Sequence, residues 1–535
     1  MNQVNRRDLV TATVGLGLAA AALEGVAAPR GRPPPATAPG WSYGPFDSLR
    51  DYVAELDRRG LLVRIPRMDQ DAFEMTALMY RLIDRYGLYC TPAFLVDEVK
   101  IEGRWVRGPV LVNQYGHYFS EAVAVGIEPV AGDGRATYRA AVARAAGFLR
   151  DGRFPLAACD EVAREDAPCK QVVLAGDDID LTRFAFIQSN PADAGRYINT
   201  GSVFTRDAQG RGNFGTYRCQ LKGPRLIGVN PEPGQTGWRM LMAMREAGQK
   251  VAKVSIVLGQ DPITWLVSSS KIGMGNPDEL QLVSGIRGRA LPVVKSETNE
   301  ILVPAHAEMV IEGEIPLDQP GLPEGPFGEM RGYMGRRKEE NFWMNVTRVT
   351  HRRHPWIVNQ FTGVNRGMPS ATQSMWSITN LQKKLPNVTF AHTPSEAPGV
   401  GFISIRKQKA GDGLAAGEFY ARQPGITKVI VVVDDDVDVL DTLAVVHAIG
   451  ARWQPKDAHR VLTGLPGHQI DPSLGDPART SKMVIDATRS LPEEGGPADW
   501  PEANRAVLAA LAPESFERVA AQWQQLMGRW RAPEA

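Results

Sequence analysis

The sequence predicts a mixed α/β protein made of three successive parts and a helical tail. Near the start, amphipathic helices alternate with short strands, and the middle of the chain is a series of short β-rich segments. In the last third a continuous apolar strand is followed by a helix, as in a sheet covered on both faces. With 535 residues and 43% hydrophobic composition, the chain is long enough for several packed cores.

Residues 1–28 are predicted to be a secretory signal. Arg6 and Arg7 precede the apolar run Leu9–Ala28, which ends in small residues that suit a signal peptidase. The paired arginines indicate a Tat-type signal peptide, so we expect a periplasmic protein, or a cytoplasmic one if the signal is not used. A membrane anchor is the alternative, but a run this rich in Ala, Gly and Thr is weak for a permanent span. Residues 29–42, rich in Pro, Gly and Ala, are predicted to be a flexible linker.

Residues 43–170 are predicted to form an N-terminal α/β domain. Ser48–Arg59 has apolar residues at the spacing of an amphipathic helix, and a short strand, Leu61–Pro66, follows it. Phe73–Tyr86 is predicted to be a second helix and Gly108–Asn113 a buried strand. Helices alternating with strands favour an α/β arrangement.

Residues 171–348 are predicted to be a compact β domain, in the form of a barrel. Short β-rich segments separated by Gly, Asp, Asn and Pro are typical of such a domain. A helix at Gly237–Ala247 interrupts them. The predicted strands are Gln171–Leu174, Gly201–Arg206, Phe214–Leu221, Arg225–Val229, Lys253–Leu258 and Leu291–Val294.

Residues 349–500 are predicted to return to an α/β arrangement. Lys428–Val433 has the apolar character of a parallel strand buried on both faces, and a helix is expected around Leu440–Gly450. Residues 501–535 are predicted to be a helical tail, which packs either on a neighbouring subunit or on its own domain.

The charge balance argues against a nucleic-acid partner. The 61 basic and 60 acidic residues give a net charge of +1, and no basic stripe is present. No segment after the signal approaches 18 consecutive apolar residues, so we expect no stable membrane span after cleavage.

The segment Pro323–Glu329 holds two carboxylates, Glu324 and Glu329, five positions apart. Two Gly and two Pro accompany them, so the segment is predicted to be a rigid turn and not a helix or a central strand. Paired carboxylates suit acid/base chemistry when a cation keeps one ionised and the other can hold a proton. A surface turn with two solvated acids is the alternative interpretation.

The predicted strand around residues 212–221 carries Asn213 and Arg218. Alternation along a strand puts these two side chains on opposite faces unless a bulge intervenes. Arg218 is a candidate for clamping a substrate carboxylate or for holding a neighbouring Glu ionised. An arginine on a solvated strand face is the alternative.

The Ser/Gly-rich stretch Ser268–Glu279 resembles a turn that cradles phosphate and runs into a helix near Pro277–Ser284. It lacks the spacing and the Gly-Lys-Ser/Thr ending of a Walker loop. Glu279, in the first turn of that helix, is a candidate for an acid favoured by the helix dipole or for a metal ligand.

Together these motifs resemble the UbiD family of decarboxylases, which use prenylated FMN. The resemblance runs in order along the chain from Asp47 to Ser490. It implies an N-terminal α/β part, a central flavin-binding split β-barrel and a C-terminal α/β domain. The similar segments are Asp47–Ile65, Asp193–Gly201, Asn213–Leu221, Pro304–Met334, Val433–Asp438 and Ser481–Thr488.

The resemblance also implies roles for individual residues. Arg218, Glu324 and Glu329 match the family's Arg-Glu-Glu network, with Glu329 as the acid/base group and Glu324 paired with Arg218. A divalent metal, Mn²⁺ or Mg²⁺, would join the cofactor phosphate to Asn213 and Glu279, and K⁺ is a further expected cation. The implied cofactor-binding residues are Asn213, Thr216, Tyr217, Arg218, Ser269, Ser270, Lys271 and Glu279.

Residues 228–237 depart from the family pattern, because many members have a His there and this chain has none. Glu232 and Gln235 are candidate oxygen ligands in its place.

The activity that the resemblance implies is non-oxidative, reversible decarboxylation of an aromatic or α,β-unsaturated acid, a small molecule. The expected partners are a prenyl-flavin synthase as cofactor source and further copies of the chain, in a homodimer or higher homo-oligomer. An exported flavin-binding protein that has lost the activity is the alternative function.

Overall fold

The computed structural model describes residues 42–207, 210–270, 272, 278–468, 470–475 and 479–528. The predicted signal peptide, almost all of the linker and Lys271 lie outside these ranges. The described residues divide into two compact units, residues 42–488 and residues 489–528. No helix in the described ranges is both long enough and apolar enough to cross a membrane.

The helices are α1 Leu49–Arg58, α2 Glu74–Tyr86, α3 Tyr118–Ala124, α4 Gly134–Ala146, α5 Thr236–Glu246, α6 Pro262–Ser269, α7 Glu279–Arg287, α8 Ala371–Gln382, α9 Asp412–Ala421, α10 Thr442–Arg452, α11 Asn504–Leu511 and α12 Glu514–Met527. The strands are β1 Leu62–Asp69, β2 Ala93–Ile101, β3 Arg104–Val112, β4 Asp160–Glu161, β5 Val172–Ala175, β6 Tyr197–Arg206, β7 Gly212–Gly223, β8 Leu226–Val229, β9 Val251–Leu258, β10 Pro292–Lys295, β11 Leu302–Pro304, β12 Met309–Pro316, β13 Leu322–Glu324, β14 Phe327–Gly328, β15 Met334–Gly335, β16 Lys338–His351, β17 Ile357–Asn359, β18 Val388–His392, β19 Val400–Ile405, β20 Val429–Asp434, β21 His459–Leu465 and β22 Thr480–Asp486.

The N-terminal sheet has the strand order β1-β2-β3-β17. Helix α1 begins at the residue after Ser48, whose side chain accepts a hydrogen bond from the Asp51 N–H and so caps the helix. Strand β17 lies beyond the barrel in the sequence, yet it pairs in parallel with β3, with Ile357 opposite Val110. The N-terminal sheet therefore includes a strand from the segment that was predicted to belong to the C-terminal part.

The central part is a closed antiparallel barrel of six strands, β12-β9-β6-β7-β8-β16, in which β12 and β16 pair to close the ring. The sequence prediction of a barrel is therefore confirmed. Aliphatic side chains such as Ile256, Ile311 and Met344 are fully buried in its core. Strand β6 begins at Tyr197, four residues before the predicted Gly201, and its pairing with β7 shifts register between Ile198 and Gly201.

The C-terminal sheet has the order β18-β19-β20-β22-β21. Strand β20 pairs in parallel with both β19 and β22, and its residues Ile430–Val433 are buried. The predicted doubly covered parallel strand is therefore confirmed. Its neighbour α10 spans Thr442–Arg452, about as predicted, and is capped by Asp441.

The tail contains α11 and α12, where the sequence predicted helix. The large apolar residues of α12, namely Phe516, Val519, Trp523 and Leu526, are exposed.

Candidate active site

Strand β7, in the barrel wall, carries four of the predicted site residues. Thr216 and Arg218 lie on one face of the strand, and Asn213 and Tyr217 lie on the other. Arg218 follows Asn213 by five positions, so the two lie roughly 16 Å apart along the strand. The site therefore has two ends, and each is built by a different set of neighbours.

At one end, Arg218 is bonded to both glutamates of the turn. Its Nε and Nη2 donate to the two carboxylate oxygens of Glu324 at 2.9 and 2.8 Å, which is a bidentate pair. The remaining nitrogen, Nη1, donates to Glu329 Oε1 at 2.5 Å. Glu324 is 1% exposed, so the alternative of two solvated surface acids is excluded.

The charged groups in this cluster shift one another's pKa values. Burial works against the positive charge of Arg218, but the two glutamates outweigh it and raise the pKa of the guanidinium. Burial also raises the pKa of the Glu329 carboxyl, and Arg218 opposes that shift only in part. The charges of Glu232 and Glu324 add to the increase. Glu329 thus holds a proton more readily than a free Glu does.

The turn that carries the glutamates is fixed by its own sequence and by neighbouring side chains. Gly325 has a φ of +78°, a backbone conformation that a side chain disfavours. The N–H of Gly328 donates to Asp193 Oδ1 at 2.9 Å, and Lys222 Nζ donates to the Pro323 carbonyl. The segment forms only the short strands β13 and β14, and β13 lies at the edge of its sheet, so the prediction of no helix and no central strand is confirmed.

Aromatic side chains cover the same cluster. The guanidinium carbon of Arg218 lies 4.8 Å from the centre of the Phe327 ring, within cation–π range. Tyr197 packs against Phe327 and donates its hydroxyl proton to Glu324 Oε1 at 3.2 Å. Tyr197 was missed in the sequence as a site residue, because no local pattern links it to a glutamate 127 positions away.

At the other end, Asn213 meets Glu279 at the start of α7. Glu279 Oε2 accepts hydrogen bonds from Asn213 Nδ2 at 2.9 Å and from the Phe214 N–H at 2.6 Å. Asn213 Oδ1 is buried, and among the described residues it has no hydrogen-bond partner. Burial raises the pKa of Glu279 to about 8, against the lowering effect of the Phe214 N–H. Glu279 lies in the first turn of its helix, Glu279–Arg287, as predicted, and Pro277 lies outside the described residues.

The predicted phosphate cradle is only partly a turn. Ser268 and Ser269 form the last turn of α6, and Ser270 caps the helix. Ser268, which was not among the predicted site residues, donates or accepts a hydrogen bond with Thr216 Oγ1 at 2.9 Å. Ser269 Oγ donates to the carbonyl of Trp265, within its own helix. The serine segment therefore lies beside Thr216, while Lys271 falls outside the described residues.

Tyr217 is not brought together with Thr216. Its ring is buried in the core, where the hydroxyl accepts a hydrogen bond from the Gly237 N–H at 3.2 Å. The next side chains on either side of it, Thr216 and Arg218, lie on the opposite face of β7.

Glu232 is engaged by a lysine. Lys338 Nζ donates to Glu232 Oε1 at 2.6 Å and to Asn230 Oδ1 at 2.8 Å. Burial disfavours the charge on Glu232, but Lys338 and then Arg218 hold the pKa of its carboxyl below its usual range. Gln235 Oε1 accepts a hydrogen bond from the Glu232 N–H and so stabilises the loop that carries Glu232. Neither of the two candidate replacements for the family His is hydrogen-bonded to Asn213 or Glu279.

A cluster of three or more His, Cys, Asp or Glu side chains suited to a metal was not found within the described ranges. The candidate cation site consists instead of one amide oxygen, from Asn213, and one carboxylate, from Glu279. Oxygen donors of this kind suit Mn²⁺ and Mg²⁺.

The chain is similar to known proteins over most of its length. Residues 160–365 match the 3-octaprenyl-4-hydroxybenzoate carboxy-lyase Rift-related domain, and residues 368–487 match the C-terminal domain of the same enzyme. The two segments together span more than half of the chain, and both belong to UbiD family models. A protein of unassigned function from Archaeoglobus fulgidus is 27% identical over 90% of this chain and 98% of its own length.

Two solved structures show the same fold over nearly their whole length. The UbiD-class enzyme HmfF from Pelotomaculum thermopropionicum, in complex with FMN, is 26% identical with a TM-score of 0.72, and the match covers 85% of this chain and 97% of HmfF. Vanillic acid decarboxylase from Sedimentibacter hydroxybenzoicus, in an open form, has a TM-score of 0.74 at 24% identity, over 91% of this chain and all of the other. At that identity the second likeness concerns the fold alone.

The chain belongs to the UbiD family, whose members are carboxy-lyases. The mixed α/β fold with its closed barrel is the fold of that class.

Proposed function

We propose that this protein catalyses the non-oxidative, reversible decarboxylation of an aromatic or α,β-unsaturated carboxylic acid with prenylated FMN and a divalent metal. The observation that carries the proposal is the Arg218 guanidinium, which is bidentate to Glu324 and bonded through its third nitrogen to Glu329. A buried cation between two carboxylates of different environment is suited to acid/base work.

Each residue of the cluster has a distinct part in the proposed reaction. Glu329, with its raised pKa, holds the proton that replaces CO₂ on the substrate carbon, and in the reverse direction it takes that proton back. Arg218, neutralised on two nitrogens by Glu324, keeps Glu329 in one orientation. Prenylated FMN, when bound, supplies the electron sink that no side chain provides for the carbanion left by loss of CO₂.

The other end of β7 fits the phosphate end of such a cofactor. Asn213 Oδ1 and the Glu279 carboxylate would hold Mn²⁺ or Mg²⁺, since the orphaned amide oxygen and the buried acid are both oxygen donors. The hydroxyl groups of Thr216, Ser269 and Ser270, with Lys271, would bind near the phosphate. The roughly 16 Å between Asn213 and Arg218 along the strand separates a phosphate end from a reacting end.

The cellular setting is part of the proposal. The paired arginines and apolar run of residues 1–28 support export by the Tat route, which transports folded proteins and would carry the cofactor-loaded chain to the periplasm. A prenyl-flavin synthase would supply the cofactor before export. A second structure of HmfF, an evolved dimeric form in complex with prFMN, supports a homodimer or larger assembly and this cofactor.

The test is to produce the full chain together with a prenyl-flavin synthase and to measure the absorbance spectrum, the mass of the released cofactor and the metal content. We expect prenylated FMN with Mn or Mg, and turnover of at least one member of a panel of aromatic and cinnamic-type acids. A folded protein without flavin would contradict the proposal.

A flavin-loaded protein that turns over no acid in the panel and exchanges no product proton with solvent would favour the alternative, an exported flavin-binding protein without the activity. One observation favours this alternative. In the segment where many family members have a His, Glu232 is bound by Lys338.

A further inference from the structure

We propose that Arg331 is a positioning residue for Glu329: it fastens the turn that carries Glu329 to the end of the C-terminal sheet where β19 and β20 begin. The inference rests on the proposed function for its kinetic consequence, but the anchoring itself does not depend on the reaction. Arg331 was not singled out by its sequence context, since its partners lie far along the chain.

Glu329 and Arg331 belong to one closed turn. The Glu329 N–H donates to the Tyr333 carbonyl at 2.8 Å, and the Gly332 N–H donates to the Glu329 carbonyl at 2.9 Å. Two backbone hydrogen bonds across five residues leave the turn little freedom to change shape. A displacement of the Arg331 end is therefore transmitted to the backbone of Glu329.

The Arg331 side chain reaches into the C-terminal sheet. Its Nη2 donates to the carbonyl of Ile426 and lies 3.7 Å from Asp471 Oδ2. Ile426 precedes β20, and Asp471 follows β21. The Arg331 side chain is 7% exposed and the Asp471 side chain 3% exposed, so solvent screens this ion pair little.

Asp471 is itself held in place on its other side. Lys428 Nζ lies 2.9 Å from Asp471 Oδ1 and 2.8 Å from Oδ2, and it also donates to Ser473 Oγ at 2.7 Å. Ser473 in turn donates its N–H and hydroxyl proton to Asp471 Oδ1. The acceptor that faces Arg331 is therefore fixed by the sheet and does not depend on Arg331 for its orientation.

Close packing supports the same role. A Cβ on Gly399 would lie 2.7 Å from Arg331 Nη1, and the φ of +102° at Gly399 favours glycine where the guanidinium passes the start of β19. A Cβ on Gly363 would lie 2.2 Å from the Glu329 carbonyl oxygen, so a second glycine allows the turn to seat against the loop after β17. The turn lies between Arg218 on one side and these C-terminal segments on the other, which fixes Glu329 from both directions.

The first experiment measures hydrogen–deuterium exchange of peptides covering residues 327–335 in the full-length protein. Arg331→Met removes the charge at similar length, Asp471→Asn keeps the shape of the acceptor, and Arg337→Met is the matched control at an arginine that is 56% exposed. We expect faster exchange of the turn in the first two variants and unchanged exchange in the control. Unchanged exchange in both Arg331→Met and Asp471→Asn overturns the inference. If Arg331→Met does not fold, Arg331→Lys takes its place beside Asp471→Asn.

The second experiment measures kcat, KM and the pH profile of the cofactor-loaded variants. We expect kcat to fall roughly 10–100-fold, the scale of a misplaced catalytic group, with KM and flavin content unchanged. The pH limb assigned to Glu329 should move in the same variants, which a merely structural loss would not cause. The double variant should be no worse than the single ones, because both remove the same contact.

The two failures can be told apart. A wild-type holoenzyme that decarboxylates no acid contradicts the proposed function, and the exchange measurement still decides whether Arg331 fixes the turn. A wild-type enzyme that is active, with kcat and pH profile unchanged in Arg331→Met, overturns the positioning role.

Discussion

The two ends of β7 differ in how their charges are balanced. Around Arg218, protein groups meet one another: each nitrogen of the guanidinium that faces the cluster has a carboxylate partner. Around Asn213, Glu279 accepts hydrogen bonds from the side-chain amide of Asn213 and the Phe214 N–H. The like charge of Asp278 raises its pKa further. The first cluster is complete as a set of protein groups, whereas the second leaves the buried Asn213 Oδ1 without a hydrogen-bond partner among the described residues, beside a buried acid.

This difference predicts different consequences of mutation. Changes at the Arg218 end should affect the chemical step or the stability of the fold while the cofactor stays bound. Changes at the Asn213 end should affect how much cofactor and metal the protein retains.

Glu329→Gln should abolish measurable turnover while flavin content stays that of the wild type. The amide cannot deliver the proton, and positioned acid/base groups contribute about 10²–10⁴-fold. Steady-state rates and the flavin absorbance of the purified variant check both parts. Turnover that survives the change would remove the acid/base assignment.

Arg218→Met should destabilise the protein by about 3–5 kcal/mol, because it leaves two buried carboxylates without their shared cation. Urea unfolding monitored by circular dichroism measures the loss. Arg225→Met is the matched control, since that arginine is half exposed and pairs with a fully exposed Asp177, and it should change stability by less than about 0.5 kcal/mol. Equal losses in the two variants would contradict the picture of a buried charge cluster.

Asn213→Ala should lower the flavin and metal content of the purified protein about tenfold. The reason is that losing a group that supports a bound metal weakens metal affinity by about that factor. It should leave the stability of the Arg218 cluster unchanged. The ratio of flavin to protein absorbance and elemental analysis measure the effect, with Glu329→Gln as the variant that should stay loaded. Unchanged content in Asn213→Ala would remove the metal assignment.

Glu232→Gln should shift the pH profile of turnover and leave the maximum rate nearly unchanged. Because the pKa of Glu329 is raised, its protonated form persists above the usual range of a glutamate, and the rate falls as pH rises through that raised value. Removing the nearby charge of Glu232 lowers the pKa of Glu329, so the falling limb should move to lower pH. Glu339→Gln, at a glutamate that is 78% exposed, should not move it.

Local patterns in the sequence predicted more than half of the helices, fewer than half of the strands and few of the contacts. The capped helix after Ser48 and the buried parallel strand ending at Asp434 were found within one or two residues of their predicted bounds. Both depend on residues that are adjacent in the chain. Helix α6 was missed, because the serines at its end were interpreted as a turn.

The part of the candidate site that lies in sequence motifs could be predicted, and the rest could not. Arg218, Glu324 and Glu329 were named through the family resemblance, and the structure brings them together. Tyr197, Ser268 and Lys338 were not named as site residues, because their partners Glu324, Thr216 and Glu232 lie far away in the sequence and leave no spacing signal. The family assignment is confirmed, while the catalytic, cofactor and metal roles of individual residues stay predictions.

Strand β17 has a consequence for how the chain acquires its structure. Val110 on β3 meets Ile357, so the edge of the first sheet stays unpaired on the ribosome until the whole barrel has been synthesised. Such a non-local pairing raises the contact order of the N-terminal part and slows its completion. A fragment that stops at residue 348 would expose the edge of β3 as a template for aggregation. Attempts to express the N-terminal part alone should therefore include residues 357–359 or a strand that replaces them.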